Sequence, residues 1–266
     1  MASLNLHCGF GFFGQPFDVA AAVCQLDADV VCVQESWLPI VGDAADPRVG
    51  VHGHEFANVG HAEPFAPPPG PDAPDPLAEA AAKLGAAMSR QVLSRPPNLT
   101  LPGVSATSGP GELAIAVLTT LPVTDYAVIE LGVAPADEVP RFAQVVTLKL
   151  AGGASMRVVN THLTHRLTSP IQLRRLQERL RPEGGLSRQI PTIIVGDLNM
   201  PRPVAALSLE YAATVRGKTW PSTRPLVQLD HVLVDRSITV MESAVLPSAG
   251  SDHLPIRARL RVLPTS

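Results

Sequence analysis

Residues 192–195, Thr-Ile-Ile-Val, are β-branched throughout, and Gly196-Asp197-Leu198-Asn199-Met200-Pro201 follows at once. A continuous run of this kind predicts a short, fully buried strand. Gly196 and Pro201 punctuate its exit. Asp197 and Asn199 are therefore expected just past its C-terminal end, where open α/β sheets place their ligands. Residues two apart in an extended segment point the same way. The carboxylate can take a proton from water and the amide can hold an oxygen, a pairing suited to hydrolysis. Asp and Asn are also ordinary turn formers, so the pair gains its meaning from its company.

That company recurs at strand ends along the chain. Val30-Val31-Cys32-Val33 predicts a central strand ending at Gln34-Glu35. Met156 to Asn160 predicts a strand leading to His162 and forming a hairpin with Ala143 to Leu150 across Gly152-Gly153. Asp230 opens a strand, Asp252 and His253 precede another at Ile256 to Val262, and Asn5 and His7 flank the first. Strands are also expected at Leu113–Leu118 and Tyr126–Leu131. Helices are expected over Pro16–Leu26 and Leu77–Leu93, and from Ser169 with Leu173, Leu176 and Leu180 as its buried stripe. Many strands and few helices in one compact length predict packed sheets with helices outside. Residues 1–266 read as a single domain, with a Pro-rich insert loop around residues 61–76.

At 266 residues and 45% apolar, the chain can bury a sizeable core. Its net charge of −3 lacks the basic footprint of a protein that grips long nucleic acid non-specifically. An enzyme touching a few phosphates is not excluded by this. Cys8, Cys24 and Cys32 imply no disulfide framework and fit no zinc spacing. No signal peptide is recognised, and no apolar run approaches the ~18 residues of a spanning helix. A cytoplasmic location is the expectation.

Shared sheets would bring these strand ends into one cleft. Carboxylate and amide oxygens without thiolates favour a hard cation, Mg²⁺ or Mn²⁺. Such an ion polarises a phosphoryl oxygen and stabilises a leaving oxygen. An Asp beside it can activate water, and a His held by a carboxylate becomes a fixed donor to a developing oxyanion.

The motifs, taken in order, resemble those of the endonuclease/exonuclease/phosphatase superfamily of DNase I-like enzymes. They are Asn5, the segment Asp29 to Glu35 ending in Gln-Glu, and Asn160-Thr161-His162-Leu163. Gly196-Asp197-Leu198-Asn199, Thr219-Trp220-Pro221 with Leu229-Asp230, and Ser251-Asp252-His253-Leu254-Pro255 follow. The resemblance implies an α/β fold, a four-layer sandwich of two mixed β-sheets flanked by helices. It implies metal binding by Glu35, with Asn5 and Asp252 at the same ion. It implies a catalytic set of His162, Asp197, Asn199, Asp230 and His253, with Asp230 orienting His253. His7 and Asn160 are expected to bind substrate. His162 stands where abasic-site nucleases of the superfamily carry Tyr, which argues against that branch. Glu112 is a candidate carboxylate partner for His162. His165, His231, His52, His54 and His61 are read as structural.

Three functions compete. The leading one is Mg²⁺-dependent phosphodiester hydrolysis, most naturally by an endonuclease on DNA or RNA. The second is a phosphatase or phosphodiesterase for a lipid, inositol or other small phosphate ester, favoured by the acidic balance. The third is a non-catalytic binding scaffold, which would have little use for the His–Asp pair.

Overall fold

The computed structural model describes residues 1–40, 75–99, 101, 109–133, 140–165, 168–181, 190–208 and 210–262. Within them, β1 (Ala2–Asn5), β2 (Val30–Pro39), β3 (Ala87–Ser94) and β4 (Gly111–Thr119) join β11 (Ile238–Val245) and β12 (Ile256–Val262). They form a mixed sheet of order β11-β12-β1-β2-β4-β3. The second sheet contains β5 (Val123–Gly132), β6 (Arg141–Lys149), β7 (Ser155–His162), β8 (Thr192–Asp197), β9 (Tyr211–Ala213) and β10 (Asp230–Asp235). Its order is β5-β6-β7-β8-β10-β9. One adjacent pair in each sheet is parallel, β1 with β2 and β7 with β8. The other pairings are antiparallel.

Side-chain alternation along the central strands produces four layers. Val31 and Val33 of β2 pack on α1 (Val19–Cys24) and α2 (Pro76–Leu84), together with Leu4 and Leu118. Their neighbours Val30 and Cys32 point the other way, onto Val158, Ile193, Val195 and Val232 of the second sheet. Ile194 and Val159 face outward on that sheet and pack on Leu173, Leu176 and Leu180 of α3 (Ser169–Leu180). A strand covered on both faces must be apolar at every position, which is why Thr192–Val195 is a continuous β-branched run.

A polar seam runs through the layer between the sheets. Gln34 Nε2 donates to Ser3 Oγ at 3.1 Å and to Asn160 Oδ1 at 2.7 Å. Asn160 Nδ2 reaches Val33 O at 3.1 Å, Ala116 O at 2.9 Å and Gln144 Oε1 at 3.2 Å. Gln144 continues to Ser89 and Tyr126. These amides join both sheets through hydrogen bonds that buried polar groups require.

Several local expectations change. The first helix begins at Val19, not Pro16, because Asp18 caps it by accepting from the Ala21 amide. Its buried residues are Val19, Ala20, Ala22 and Val23. The Ala-rich stretch from Leu77 is helical only to Leu84, where Gly85 takes a left-handed cap at φ 61°. Residues 87–94 then pair with β4 as a strand. β2 does not stop at Gln34-Glu35: it continues to Pro39 across a register shift between Val33 and Ser36. Most of the Pro-rich insert lies outside the described residues, as do His52, His54 and His61. Its last residues, Asp75 and Pro76, open α2, with Asp75 accepting from the Leu77 amide. No described helix is long and apolar enough to cross a membrane.

Candidate active site

Strand register assembles the site. His162 pairs with Asp197 across the parallel β7–β8 pair, and Asp230 pairs with Asp197 across the antiparallel β8–β10 pair. Three functional side chains therefore occupy one rung of the second sheet. From the first sheet, Asn5 is the last residue of β1. Glu35 sits in the β2 bulge with φ 50°, a left-handed conformation that re-aims its carboxylate. His253 arrives on the loop before β12.

The convergence point is Asp197 Oδ2. It lies 3.1 Å from Asn5 Nδ2, 3.6 Å from His162 Nε2 and 3.8 Å from His253 Nε2. Asp197 Oδ1 accepts from the Asn199 amide at 2.9 Å. Asn5 Nδ2 also donates to Glu35 Oε1 at 3.0 Å. The amide thus holds two carboxylates together. Asp230 Oδ2 accepts from His253 Nδ1 at 2.8 Å, the geometry expected of an oriented imidazole.

Charge follows from this packing. Burial opposes a proton on His253, but Asp230 and Asp197 outweigh it and raise its pKa to about 10. Burial raises Asp197 to about 7; His253 opposes this, and Asp230 and Glu35 add to it. Burial holds His162 well below the ordinary imidazole range, helped by the neighbouring Arg141, His165 and His253 side chains. A neutral His162 suits its contact with Asn199, whose Nδ2 lies 3.1 Å from Nε2. Asn199 Nδ2 also donates to Leu163 O at 2.9 Å, and its Oδ1 meets His165 Nδ1 at 3.1 Å.

Two groups among the described residues can hold a metal ion, Glu35 with His162 and Asp197, and Asp197 with Asp230 and His253. The donors are carboxylate oxygens and imidazoles without thiolate, the set that divalent cations of the harder kind accept. Asp230 Oδ1 is buried without a hydrogen-bond partner, so the carboxylate cluster retains acceptor capacity.

Not every expected residue takes its expected place. Asn160 is 0% exposed and its amide is spent in the seam between the sheets, so it does not face the cleft as a substrate group. Asn5 does reach the metal-capable cluster, but with its NH₂, because its Oδ1 accepts from the His7 amide at 2.9 Å. Asp252 falls outside both metal-capable groups. Its Oδ2 accepts from Trp220 Nε1 at 3.1 Å, and its Oδ1 lies 3.7 Å from His7 Nδ1 at the rim. Glu112 pairs with Arg95, leaving His162 Nδ1 buried without a partner. His231 is structural, bonding Met200 O at 2.8 Å. His165, by contrast, stands at the site through Asn199. Its signal in the sequence was its place three residues beyond His162.

The sequence pattern described as "Endonuclease/Exonuclease/phosphatase family" matches residues 2–253. No curated protein matches the chain. Among solved structures, an endonuclease/exonuclease/phosphatase from Beutenbergia cavernae DSM 12333 is 20% identical, with a TM-score of 0.64 over 98% of this chain and 70% of that one. A protein of the same description from Leptotrichia buccalis C-1013-b is 14% identical, with a TM-score of 0.65 over 98% of each chain. A mannosyl-6-phosphatase from Bacteroides thetaiotaomicron VPI-5482 is 14% identical, with a TM-score of 0.61 over 98% of this chain and 99% of that one. These similarities establish the DNase I-like fold.

Proposed function

The chain belongs to the endonuclease/exonuclease/phosphatase family, and from that premise we propose that it is a Mg²⁺-dependent phosphodiesterase. Family membership makes it a phosphate-ester hydrolase. The observation that carries the finer reading is the meeting of Asn5, His162 and His253 around Asp197 Oδ2 within 3.8 Å.

Glu35, beside Asp197, would hold the cation, which supplies Lewis-acid polarisation of the phosphoryl group and charge at the leaving oxygen. Asn5 steadies Glu35 and Asp197 through its two N–H contacts. Asp197 positions the attacking water and accepts its proton; a carboxylate raised toward neutral pH is a stronger base than an ordinary one. The water oxygen bonds to phosphorus, the bond to the leaving oxygen breaks, and charge on the non-bridging oxygens meets the His253 imidazolium. Asp230 keeps that ring charged and aimed. Asn199 fixes the neutral His162 ring beside it.

Polynucleotides are the substrates first expected from the motifs. The second reading, a lipid or other small phosphate ester, is favoured by the chain's net charge of −3, which supplies no basic footprint for a long polyanion. One solved relative is described as a mannosyl-6-phosphatase and another as TDP2, so the fold serves more than one ester. The test is hydrolysis of bis-p-nitrophenyl phosphate, supercoiled plasmid and phosphatidylcholine with Mg²⁺. We expect metal-dependent cleavage of at least one diester, abolished by EDTA and by Asp197→Ala. No cleavage by folded, metal-loaded protein would refute the reading.

A further inference from the structure

Two loops flank the mouth of the cleft, and each carries large apolar side chains into solvent. The first follows β1. It is closed by Gly11 N to Gln15 O at 2.8 Å, Gly14 N to Gly11 O at 2.8 Å and a bridge between Phe10 and Pro16. At its tip Phe13 is 74% exposed and Phe12 37% exposed. The second, residues 219–228, folds back through Leu226 N to Trp220 O at 2.8 Å, with Leu226 61% exposed. Both abut the segment Gly250–Asp252. A Cβ on Gly11 would lie 2.7 Å from Gly250 O, and Ser222 N donates to Asp252 O at 2.6 Å.

This concentration is not a composition effect. The chain has seven Phe, and four of them, Phe10, Phe12, Phe13 and Phe17, lie within eight residues beside His7. Exposed apolar clusters of this kind mark interaction surfaces. Proteins that stack single-stranded nucleic acid combine flat rings with a basic groove. Here Phe12 and Phe13 meet edge to face at 84°, so one ring blocks a face of the other. The third side chain, Leu226, cannot stack at all, and the Phe loop carries no Lys or Arg. Arg224 stands on the second loop and Lys218 just before it. Uncharged aromatic and aliphatic tips with a few flanking cations suit the boundary between headgroups and acyl chains.

We propose that Phe12, Phe13 and Leu226 seat the cleft mouth on a zwitterionic phospholipid bilayer, which places a headgroup phosphodiester before Asp197. The substrate half of this inference rests on the phosphodiesterase reading; the docking half does not.

The experiment is flotation of the Asp197→Ala protein in EDTA with large unilamellar phosphatidylcholine vesicles, so that binding is read without turnover. Binding is expected. Phe12→Ser with Phe13→Ser should lower the partition coefficient at least about tenfold, and Leu226→Ser about threefold, in line with losing apolar side chains of these sizes. Circular dichroism should not change, because all three side chains are exposed. Phe13→Trp should shift its emission to the blue on vesicles. No binding, binding indifferent to all three substitutions, no blue shift, or retention on oligothymidylate instead of vesicles would overturn the proposal. If vesicles bind as expected but the Mg²⁺-loaded parent protein cleaves no diester, the phosphodiesterase reading falls and the docking surface stands. If it cleaves bis-p-nitrophenyl phosphate and binds no vesicles, only this inference falls.

Discussion

Gln34 Nε2 and Asn160 Oδ1 meet at 2.7 Å between the two sheets. Each is next to the site in sequence: Gln34 precedes Glu35, and Asn160 lies two residues before His162 on the same strand. The contact therefore fixes the spacing of the two strand ends that bring a carboxylate and an imidazole together. Asn160→Leu keeps the volume and removes every bond the amide makes, stranding Gln34 and Gln144. The expected loss is about 2–4 kcal/mol of stability, read by urea unfolding. If Asn160 acts only through packing, KM in the folded variant stays within about twofold of the parent. A large rise in KM would restore it as a substrate group.

Asp230 lies 2.8 Å from His253 and is itself buried. Its carboxylate is the largest influence raising His253 above 6.5, toward about 10, against the effect of burial. The raised folded value means that the pair's contribution to stability is fully present below pH 6.5 and is lost as pH rises toward 10. Asp230→Asn should bring the His253 titration down into or below the neutral range, read by NMR of the ring protons in metal-free protein. The activity expected to remain is about 10²–10⁴-fold lower, the range of a lost acid-base or orienting group. An unchanged titration would show that Asp197 alone sustains the charge.

Much of the site was readable because its residues end strands, and apolar runs mark strands well. His162, Asp197 and Asp230 share one rung for that reason. Amides were harder to place. Asn160 and Asn199 look alike in sequence, yet one closes the inter-sheet seam and the other faces the cleft. The difference is depth along the strand: the seam becomes cleft two residues later, at His162. β3 was hidden in an Ala-rich stretch because pairing with β4 overrides helix propensity beyond Gly85. β11 was hidden because it is an edge strand exposed along most of its length, so no alternation marks it. The bulge at Glu35 has no signature in local sequence, but it decides where that carboxylate points.

Gly196 carries a backbone conformation that the site depends on. Its φ is 134°, and a Cβ there would lie 2.1 Å from Thr161 O and 3.1 Å from Gln34 Nε2. Gly196→Ala must therefore push β7 away from β8 or twist the strand, at a cost of about 1–3 kcal/mol for the backbone alone. Asp197 follows directly and pairs with His162, so the variant should lose activity more than it loses structure. Thermal unfolding and turnover measured on the same sample separate the two effects. Full activity with an unchanged Tm would refute the account.

Cys32 sits at the centre of the layer between the sheets, in contact with the apolar residues of both. Burial raises its thiol from 9.0 to about 12, with the N-terminal amino group opposing. The folded state thus prefers the neutral thiol more strongly than the unfolded chain does. This contribution is fully present below pH 9 and is lost as pH rises through about 12. Within that window one such thiol costs about 1.4 kcal/mol of stability per pH unit. Tyr211, raised to about 12 mainly by burial, acts in the same direction from just above pH 10. Urea midpoints measured from pH 8 to 11 should therefore fall throughout, the loss from His253 running up to about pH 10, with the slope steepening near pH 9 as the thiol adds to it, before Tyr211 contributes. Cys32→Ala should lower stability at pH 8 through the cavity it leaves and reduce, without abolishing, the slope between pH 9 and 10, because burial raises the Cys8 thiol in the same direction. A slope there unchanged by Cys32→Ala would assign the alkaline loss to other groups.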